Sequence, residues 1–178
     1  MHDTLDRAAL LLRIADALRR RGERLATAES CTGGLIAAAC TELAGSSDWF
    51  ERGFVTYSNA AKHELLGVDP AAIARDGAVS EAVVRAMAQG ALARAPVQWS
   101  VAVTGIAGPG GATPGKPVGT VWVGVAGRHA TTAERLQLEG DRASVRDRTV
   151  TQALRALLQA IDAAPAAPTP AHHRSPAA

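Results

Sequence analysis

The sequence predicts an α/β domain in which a mixed β-sheet is flanked by helices. Apolar runs of strand length alternate along the chain with segments whose apolar residues recur at helical spacing. The strand-like runs are 24–28, 52–57 and 98–104. Two further runs, 118–126 and 130–138, indicate a β-hairpin, because the Gly-Arg-His between them is typical of a turn.

Polar residues that cap helices mark where the helices are expected to start. Asp3 is predicted to cap a first helix, which runs to about Arg20. Asn59 is predicted to cap a helix that ends before Gly67. The other predicted helices follow Gly33, Asp69-Pro70, Ser80 and Asp141, the last ending near Ile161.

Length and composition predict a single domain. The chain has 178 residues, of which 47% are hydrophobic, so one sizeable core is expected. We assign residues 1–162 to this domain. Residues 163–178 are rich in alanine and proline and are predicted to form a disordered tail.

Charge and aromatic content argue against nucleic acid as a partner. The net charge is only +2, and aromatic residues make up 3% of the chain. The sequence also lacks an apolar stretch of membrane-spanning length and the core of a signal peptide. We therefore expect a cytoplasmic protein that does not bind membranes. Cys31 and Cys40 are expected to be reduced in that compartment.

The stretch Thr-Ala-Glu-Ser-Cys-Thr-Gly-Gly at 27–34 carries the strongest functional signal. It connects a predicted strand with the small apolar residues of a predicted helix, which places Ser30 at or near the helix N-terminus. Backbone N–H groups there can bind an anion or stabilise an oxyanion beside a nucleophilic hydroxyl. Serine is also a common structural N-cap, so a purely structural role is the alternative.

Lys62 is the candidate general base. Counted from Asn59, it lies at the third helical position, where the helix dipole and partial burial would both lower its pKa. A neutral lysine can accept the proton of a serine hydroxyl. The alternatives are a solvated surface lysine, or His63 as the base.

Two further segments have features of anion-binding sites. The loop 105–117, which follows Thr104, contains five glycines and three prolines. At the carboxyl end of a strand in an open α/β sheet, such a loop can bind a ligand. Arg142 and Arg146 lie in the first turns of the last predicted helix, where they can hold a phosphate or a carboxylate. For the loop, the alternative is an ordinary turn. For the two arginines, the alternative is a solvated basic face paired with Asp147.

Together these segments resemble the CinA C-terminal domain family, also called the PncC-type nicotinamide-nucleotide amidohydrolases. The resemblance covers about residues 8–162. The matching blocks are Ala28-Glu-Ser-Cys-Thr-Gly-Gly, Gly45-Ser-Ser, Trp49-Phe-Glu-Arg-Gly-Phe-Val-Thr-Tyr-Ser-Asn, Gly77-Ala-Val-Ser, Thr104-Gly-Ile-Ala-Gly-Pro, Lys116-Pro-Val-Gly-Thr-Val-Trp and Gly140-Asp-Arg with Arg146. Each block alone is short, but their combination is specific.

The resemblance implies hydrolysis of the amide of nicotinamide mononucleotide to nicotinic acid mononucleotide and ammonia, in pyridine nucleotide salvage. It implies Ser30 as the nucleophile, with Tyr57 and Lys62 as its activating partners. The substrate-binding residues that we assign with it are Cys31, Thr32, Gly33, Thr104, Gly105 and Arg142. The resemblance implies no metal and no cofactor, and we expect a homo-oligomer that binds a small nucleotide substrate.

A non-catalytic, nucleotide-binding regulatory module of the same fold is the alternative function. Binding alone would not require Lys62 close to Tyr57, so this pair favours catalysis. Cys31 follows the predicted nucleophile at a helix start and is a second candidate nucleophile, as a thiolate of low pKa. The family resemblance favours the serine over this cysteine.

Overall fold

The computed structural model of the protein describes residues 6–165, and this part of the chain has the α/β fold that the sequence predicts. Five strands form one sheet: β1 (Leu25–Glu29), β2 (Phe50–Val55), β3 (Trp99–Gly105), β4 (Thr120–Ala126) and β5 (Thr131–Gln137). The described helices are α1 (Arg7–Arg21), α2 (Leu35–Glu42), α3 (Asn59–Leu66), α4 (Pro70–Asp76), α5 (Glu81–Ala93) and α6 (Arg142–Ala163).

The sheet is mixed, as predicted, with the strand order β2-β1-β3-β4-β5. β1 lies between β2 and β3 and runs parallel to both, whereas β4 pairs antiparallel with β3 and with β5. β4 and β5 form the predicted hairpin. Because β1, β2 and β3 are parallel, their carboxyl ends meet at one edge of the sheet, which is where ligands bind in open α/β sheets.

Successive side chains of a strand pack on opposite faces of the sheet. In β3, Val101 and Val103 join the core that contains residues of α1, α2 and α6, whereas Ala102 joins the core that contains residues of α3, α4 and α5. The helices therefore form one layer on each side of the sheet. Neighbouring residues at a strand end consequently reach different helix layers.

Three of the predicted helix starts are confirmed. The side chains of Asp69, Ser80 and Asp141 accept backbone hydrogen bonds at the starts of α4, α5 and α6. The cap predicted at Asn59 is wrong. Ser58 has the extended backbone of a cap, and its Oγ accepts a backbone N–H bond at 3.0 Å, so Asn59 is the first residue of α3.

Other boundaries differ slightly from the sequence predictions. Asp6 caps α1, and the predicted cap Asp3 lies outside the described residues. β2 starts at Phe50 and ends at Val55, so it begins and ends earlier than predicted. Most of the predicted tail, from residue 166 onward, also lies outside the described residues. Between residues 6 and 165, none of the helices combines the length and the hydropathy of a membrane span.

Candidate active site

The predicted catalytic residues meet where β1, β2 and β3 end. Ser30 directly follows β1, and its N–H donates to the carbonyl of Val103 in β3 at 3.1 Å. Thr56 directly follows β2, and its N–H donates to the carbonyl of Glu29 at 2.8 Å. These bonds continue the parallel pairing past the strand ends and hold the serine beside the segment that leads into α3.

Lys62 extends from α3 to the serine. Its Nζ donates to Ser30 Oγ at 3.0 Å and to the carbonyls of Thr56 and Tyr57 at 2.8 and 3.3 Å. Lys62 is only 1% exposed. No acidic side chain of residues 6–165 forms an ion pair with this amine. The solvated surface lysine is therefore excluded, and the amine is buried among neutral oxygen atoms.

Burial lowers the pKa of Lys62 below that of an ordinary lysine, because the ammonium group loses its hydration. With Ser58 as the cap, Lys62 lies at the fourth helical position instead of the predicted third. In the neutral amine, two N–H bonds suffice for the carbonyls of Thr56 and Tyr57. The nitrogen lone pair can then accept the hydroxyl proton of Ser30, so the geometry suits proton transfer from serine to lysine.

Tyr57 approaches this pair through its backbone. Its carbonyl accepts from Lys62, whereas its side chain is exposed and its hydroxyl accepts from Arg142 Nη2 at 3.2 Å. Arg142 also donates from Nη1 to the carbonyl of Gly108 at 2.9 Å. The Arg142 guanidinium thus connects the segment after β2 with the glycine-rich loop, at the exposed rim of the site.

Glu29 has a role that the sequence analysis did not foresee. Its fully buried carboxylate accepts the backbone N–H groups of Gly34, Ile36 and Ala37 at 2.9, 3.0 and 2.8 Å. It also accepts the hydroxyl of Thr32 at 2.7 Å. The expectation that the helix-start amides bind an oxyanion is therefore wrong for these three groups. A glutamate in a strand of otherwise small and apolar residues was the available signal.

Ser30 is not the N-cap of α2. The helix begins at Leu35, and a turn precedes it, closed by the N–H of Gly33 donating to the carbonyl of Ser30 at 3.1 Å. Gly33 has a φ of +62°, a left-handed conformation that glycine adopts at low cost. The N-cap alternative for Ser30 is thus excluded, because its hydroxyl contacts Lys62 instead of the helix N-terminus.

Arg146 holds the turn after Ser30 from its position in α6. Its Nε donates to the carbonyl of Cys31 at 3.1 Å, and its Nη2 donates to the carbonyl of Thr32 at 2.9 Å. The N–H groups of Cys31 and Thr32 donate to no backbone carbonyl in the described part of the chain. These two donors follow the serine directly in the chain, and neither is bound by the Glu29 carboxylate.

The thiol of Cys31 is buried on the α6 side of the sheet. It lies close to Gly105, where a Cβ atom would be 3.2 Å from the sulfur. Burial raises the pKa of Cys31 to about 11, so the thiol is protonated near neutral pH. The low-pKa thiolate considered from the sequence is therefore wrong. Cys31 and Cys40 are both free, as predicted.

Thr104 and Gly105 form the end of β3 beside the serine turn. The Thr104 hydroxyl donates to the carbonyl of Ala78 at 2.9 Å, and the residue is buried. Gly105 packs so tightly that a Cβ atom would lie 2.7 Å from Cγ2 of Val121. The structure thus places both predicted residues directly after Val103, whose carbonyl accepts the N–H of Ser30.

Two alternatives raised by the sequence are not supported by the contacts. Nδ1 of His63 lies 3.0 Å from the carbonyl of Val68, so this ring is engaged at the other end of α3. Asp147 binds Arg7 at 2.7 Å and does not neutralise the two arginines at the start of α6. Those arginines instead hold the loops that surround the serine.

The fold and the site define an α/β domain with an open mixed sheet and a polar site at the carboxyl ends of its parallel strands. The family model of the CinA C-terminal domain matches residues 7–161. The chain therefore belongs to the CinA C-terminal domain family, and the resemblance seen in the sequence is confirmed.

Individual relatives cover most of this chain. A nicotinamide-nucleotide amidohydrolase PncC from Enterobacter agglomerans is 56% identical over 139 residues, which are 77% of this chain and 84% of that protein. The protein of the same name from Pseudomonas putida is 51% identical over 150 residues, which are 84% and 94% of the two chains. Among solved structures, the competence/damage inducible protein CihA from Agrobacterium tumefaciens is 44% identical, with a TM-score of 0.84 over 89% of this chain and 96% of that one.

Proposed function

We propose that this protein hydrolyses the amide of nicotinamide mononucleotide to nicotinic acid mononucleotide and ammonia, and that it serves pyridine nucleotide salvage. The observation that carries the proposal is the 3.0 Å contact between Lys62 Nζ and Ser30 Oγ in a buried site. A buried amine of lowered pKa can activate a serine toward an amide. The names of the similar proteins support this choice of substrate.

In the acylation step, neutral Lys62 accepts the proton of Ser30 while Oγ attacks the carboxamide carbon of the substrate. The former carbonyl oxygen becomes an oxyanion, which the N–H groups of Cys31 and Thr32 stabilise. The Lys62 ammonium then donates its proton to the amide nitrogen. The C–N bond breaks, ammonia leaves, and a nicotinoyl ester remains on Ser30.

In the deacylation step, a water molecule attacks this ester while Lys62 again accepts a proton. The ester bond breaks, the proton returns to Ser30 Oγ, and nicotinic acid mononucleotide is released. Each cycle therefore consumes one water and releases one ammonia. Glu29 and Arg146 keep the turn after Ser30 in place during both steps, through the backbone contacts described above.

The exposed rim of the site is suited to the nucleotide part of the substrate. Arg142 can bind the phosphate in a bidentate manner, in exchange for its contacts with Gly108 and Tyr57. The exposed Tyr57 ring offers a surface for the pyridine or the ribose. We expect Thr32, Gly33, Thr104 and Gly105 to border the substrate through the backbone, because the Thr32 and Thr104 hydroxyls donate to Glu29 and to the carbonyl of Ala78.

Ammonia release from nicotinamide mononucleotide tests the proposal. Ser30→Ala is expected to lower kcat by roughly a thousandfold or more, with an unchanged circular dichroism spectrum. Cys31→Ala is the matched control, since it keeps the backbone donor and removes only a protonated thiol, and it should cause a far smaller loss. Near wild-type activity of folded Ser30→Ala would reject the mechanism. No ammonia release by the wild type would favour the non-catalytic binding module.

A further inference from the structure

A cavity lies at the end of the sheet opposite to Ser30. Its volume is about 390 Å³, and it is bordered by Trp99 at the start of β3, by the turn between β4 and β5, and by the end of α6. This volume is in the range of small-molecule sites. Glu23 precedes β1 and is seven residues from Ser30, which corresponds to about 23 Å at roughly 3.3 Å per residue of extended chain. The cavity is therefore separate from the candidate active site.

Glu23 is the unusual residue of this cavity. It is 6% exposed, and its Oε2 accepts a hydrogen bond from Trp99 Nε1 at 2.7 Å. Within residues 6–165, no cation pairs with this carboxylate and no side-chain donor contacts its Oε1. Oε1 can therefore accept a hydrogen bond from a ligand that enters the cavity. A cationic ligand would supply the missing partner.

The walls around Glu23 are suited to an apolar, planar body. Several of the lining residues are small or apolar: Val125, Ala130, Ala160, Ala163 and Ala164. The Trp99 indole adds an aromatic surface, and aromatic faces attract cations. Gly127 packs against this ring, where a Cβ atom would lie 2.7 Å from the indole, so the ring is held in position.

Three basic residues line the cavity, Arg21, Arg128 and His129, and none of them forms an ion pair with Glu23. The Arg21 guanidinium donates to the carbonyls of Ile161 and Ala164 at 2.6 and 3.1 Å, so it caps the carboxyl end of α6. Arg128 lies on the exposed turn between β4 and β5, at the border of the cavity. Its positive charge favours ligands whose cationic end points inward, toward the carboxylate.

We propose that this cavity is a second ligand site, which binds a small organic cation with a planar apolar body. The N–H group of the cation donates to Glu23, and its ring lies against Trp99. This proposal does not depend on amide hydrolysis, since no residue of the cavity belongs to the candidate active site.

Calorimetric titration of the full chain with three probes tests the site. Benzamidinium, benzamide and benzoate share one ring and are positive, neutral and negative. The wild type should bind them with decreasing affinity in that order. Glu23→Gln should weaken benzamidinium by about tenfold or more, because a charged hydrogen bond becomes a neutral one. Benzamide and benzoate resemble the nicotinoyl group of the proposed substrate, so only binding that Glu23→Gln or Ala163→Leu weakens is assigned to this cavity.

Two results would overturn the proposal. Equal benzamidinium affinity of the wild type and Glu23→Gln, or no binding at all, would show that the carboxylate recognises no cation. Tightest binding of benzoate, if Ala163→Leu abolishes it, would show that the basic residues define the cavity instead. If Glu23→Gln does not fold, Ala163→Leu provides the second variant, because it fills the cavity from the exposed end of α6. Retained benzamidinium binding by folded Ala163→Leu would also reject the site.

Discussion

The protonation of Lys62 is decided by the groups around its amine. Ser30 Oγ and two backbone carbonyls are neutral, and burial lowers the pKa of the lysine. A nearby carboxylate would raise this pKa, but none pairs with the amine among residues 6–165. The neutral base is therefore available at a lower pH than in an exposed lysine.

Activity should follow the deprotonation of Lys62. We expect kcat/KM to rise with pH along a limb whose midpoint lies below the value of about 10.4 of an ordinary lysine. Lys62→Arg keeps the charge but cannot act as a base, so it should be nearly inactive. His63→Ala is the control and should retain most activity, because its ring contacts Val68. An active Lys62→Arg enzyme together with an inactive His63→Ala enzyme would transfer the base role to the histidine.

The same pKa shift should be visible in stability. Between the lowered pKa and about 10.4, the unfolded chain holds a proton on Lys62 that the folded protein does not hold. The free energy of unfolding therefore rises with pH through this window. Lys62→Met removes the titration, so the stability of the wild type relative to this variant should increase as pH rises from neutral. Urea unfolding at several pH values measures it, and a constant or shrinking difference would contradict the lowered pKa.

Glu29 is expected to be essential for stability, since four donors converge on its carboxylate at 3.0 Å or less. Glu29→Gln puts an amide N–H₂ against some of these donors and should cost about 2 kcal/mol or more. Glu23→Gln is the matched control, because Trp99 is its single described donor and the glutamine oxygen can still accept that bond. Urea unfolding compares the two variants. Equal losses would contradict the role given to Glu29.

At the scale of secondary structure elements, the start of α3 positions the general base. Ser58→Ala removes the capping bond and should lower the free energy of unfolding by about 1 kcal/mol, with a loss in kcat as Lys62 becomes less well held. Asn59→Ala is the control, because Asn59 is helical and forms no cap. Denaturation and kinetics of both variants check this. A larger loss of stability in Asn59→Ala than in Ser58→Ala would contradict Ser58 as the cap and support Asn59 instead.

The end of β1 separates a serine from a cysteine that is its neighbour in sequence. Ser30 contacts Lys62 from α3, whereas Cys31 packs in the core on the α6 side. The turn that starts at Ser30, closed by the N–H of Gly33 donating to the Ser30 carbonyl, accounts for this separation, because the chain changes direction between the two side chains. The hydroxyl thus meets the base, and the thiol remains protonated in an apolar layer.

At the scale of the whole molecule, catalysis is expected to be independent of metal ions. No three His, Cys, Asp or Glu side chains of residues 6–165 are grouped so that they could hold one. The proposed reaction uses Ser30, Lys62 and backbone donors. We expect exhaustive dialysis against a chelator to leave kcat unchanged, as measured by ammonia release. Loss of activity that one divalent metal restores would reject this expectation.

Local patterns predicted most of the elements and the segments that form the site. Asp69, Ser80 and Asp141 cap helices as predicted, because a cap depends only on the next few residues. At α3, two adjacent polar residues could both serve as the cap. The backbone conformation selects Ser58 over Asn59, and this conformation depends on how the chain leaves β2.

The amino-acid sequence alone was sufficient for the α/β fold class, the family and the residues that meet at the serine. Only the tertiary structure decided which groups form hydrogen bonds with each other. Glu29 takes the amides of α2, and Arg146 holds the serine turn from a helix more than one hundred positions away. The reason is physical: strand and helix signals are local, whereas burial, hydrogen-bond partners and pKa values depend on every element that packs around a group.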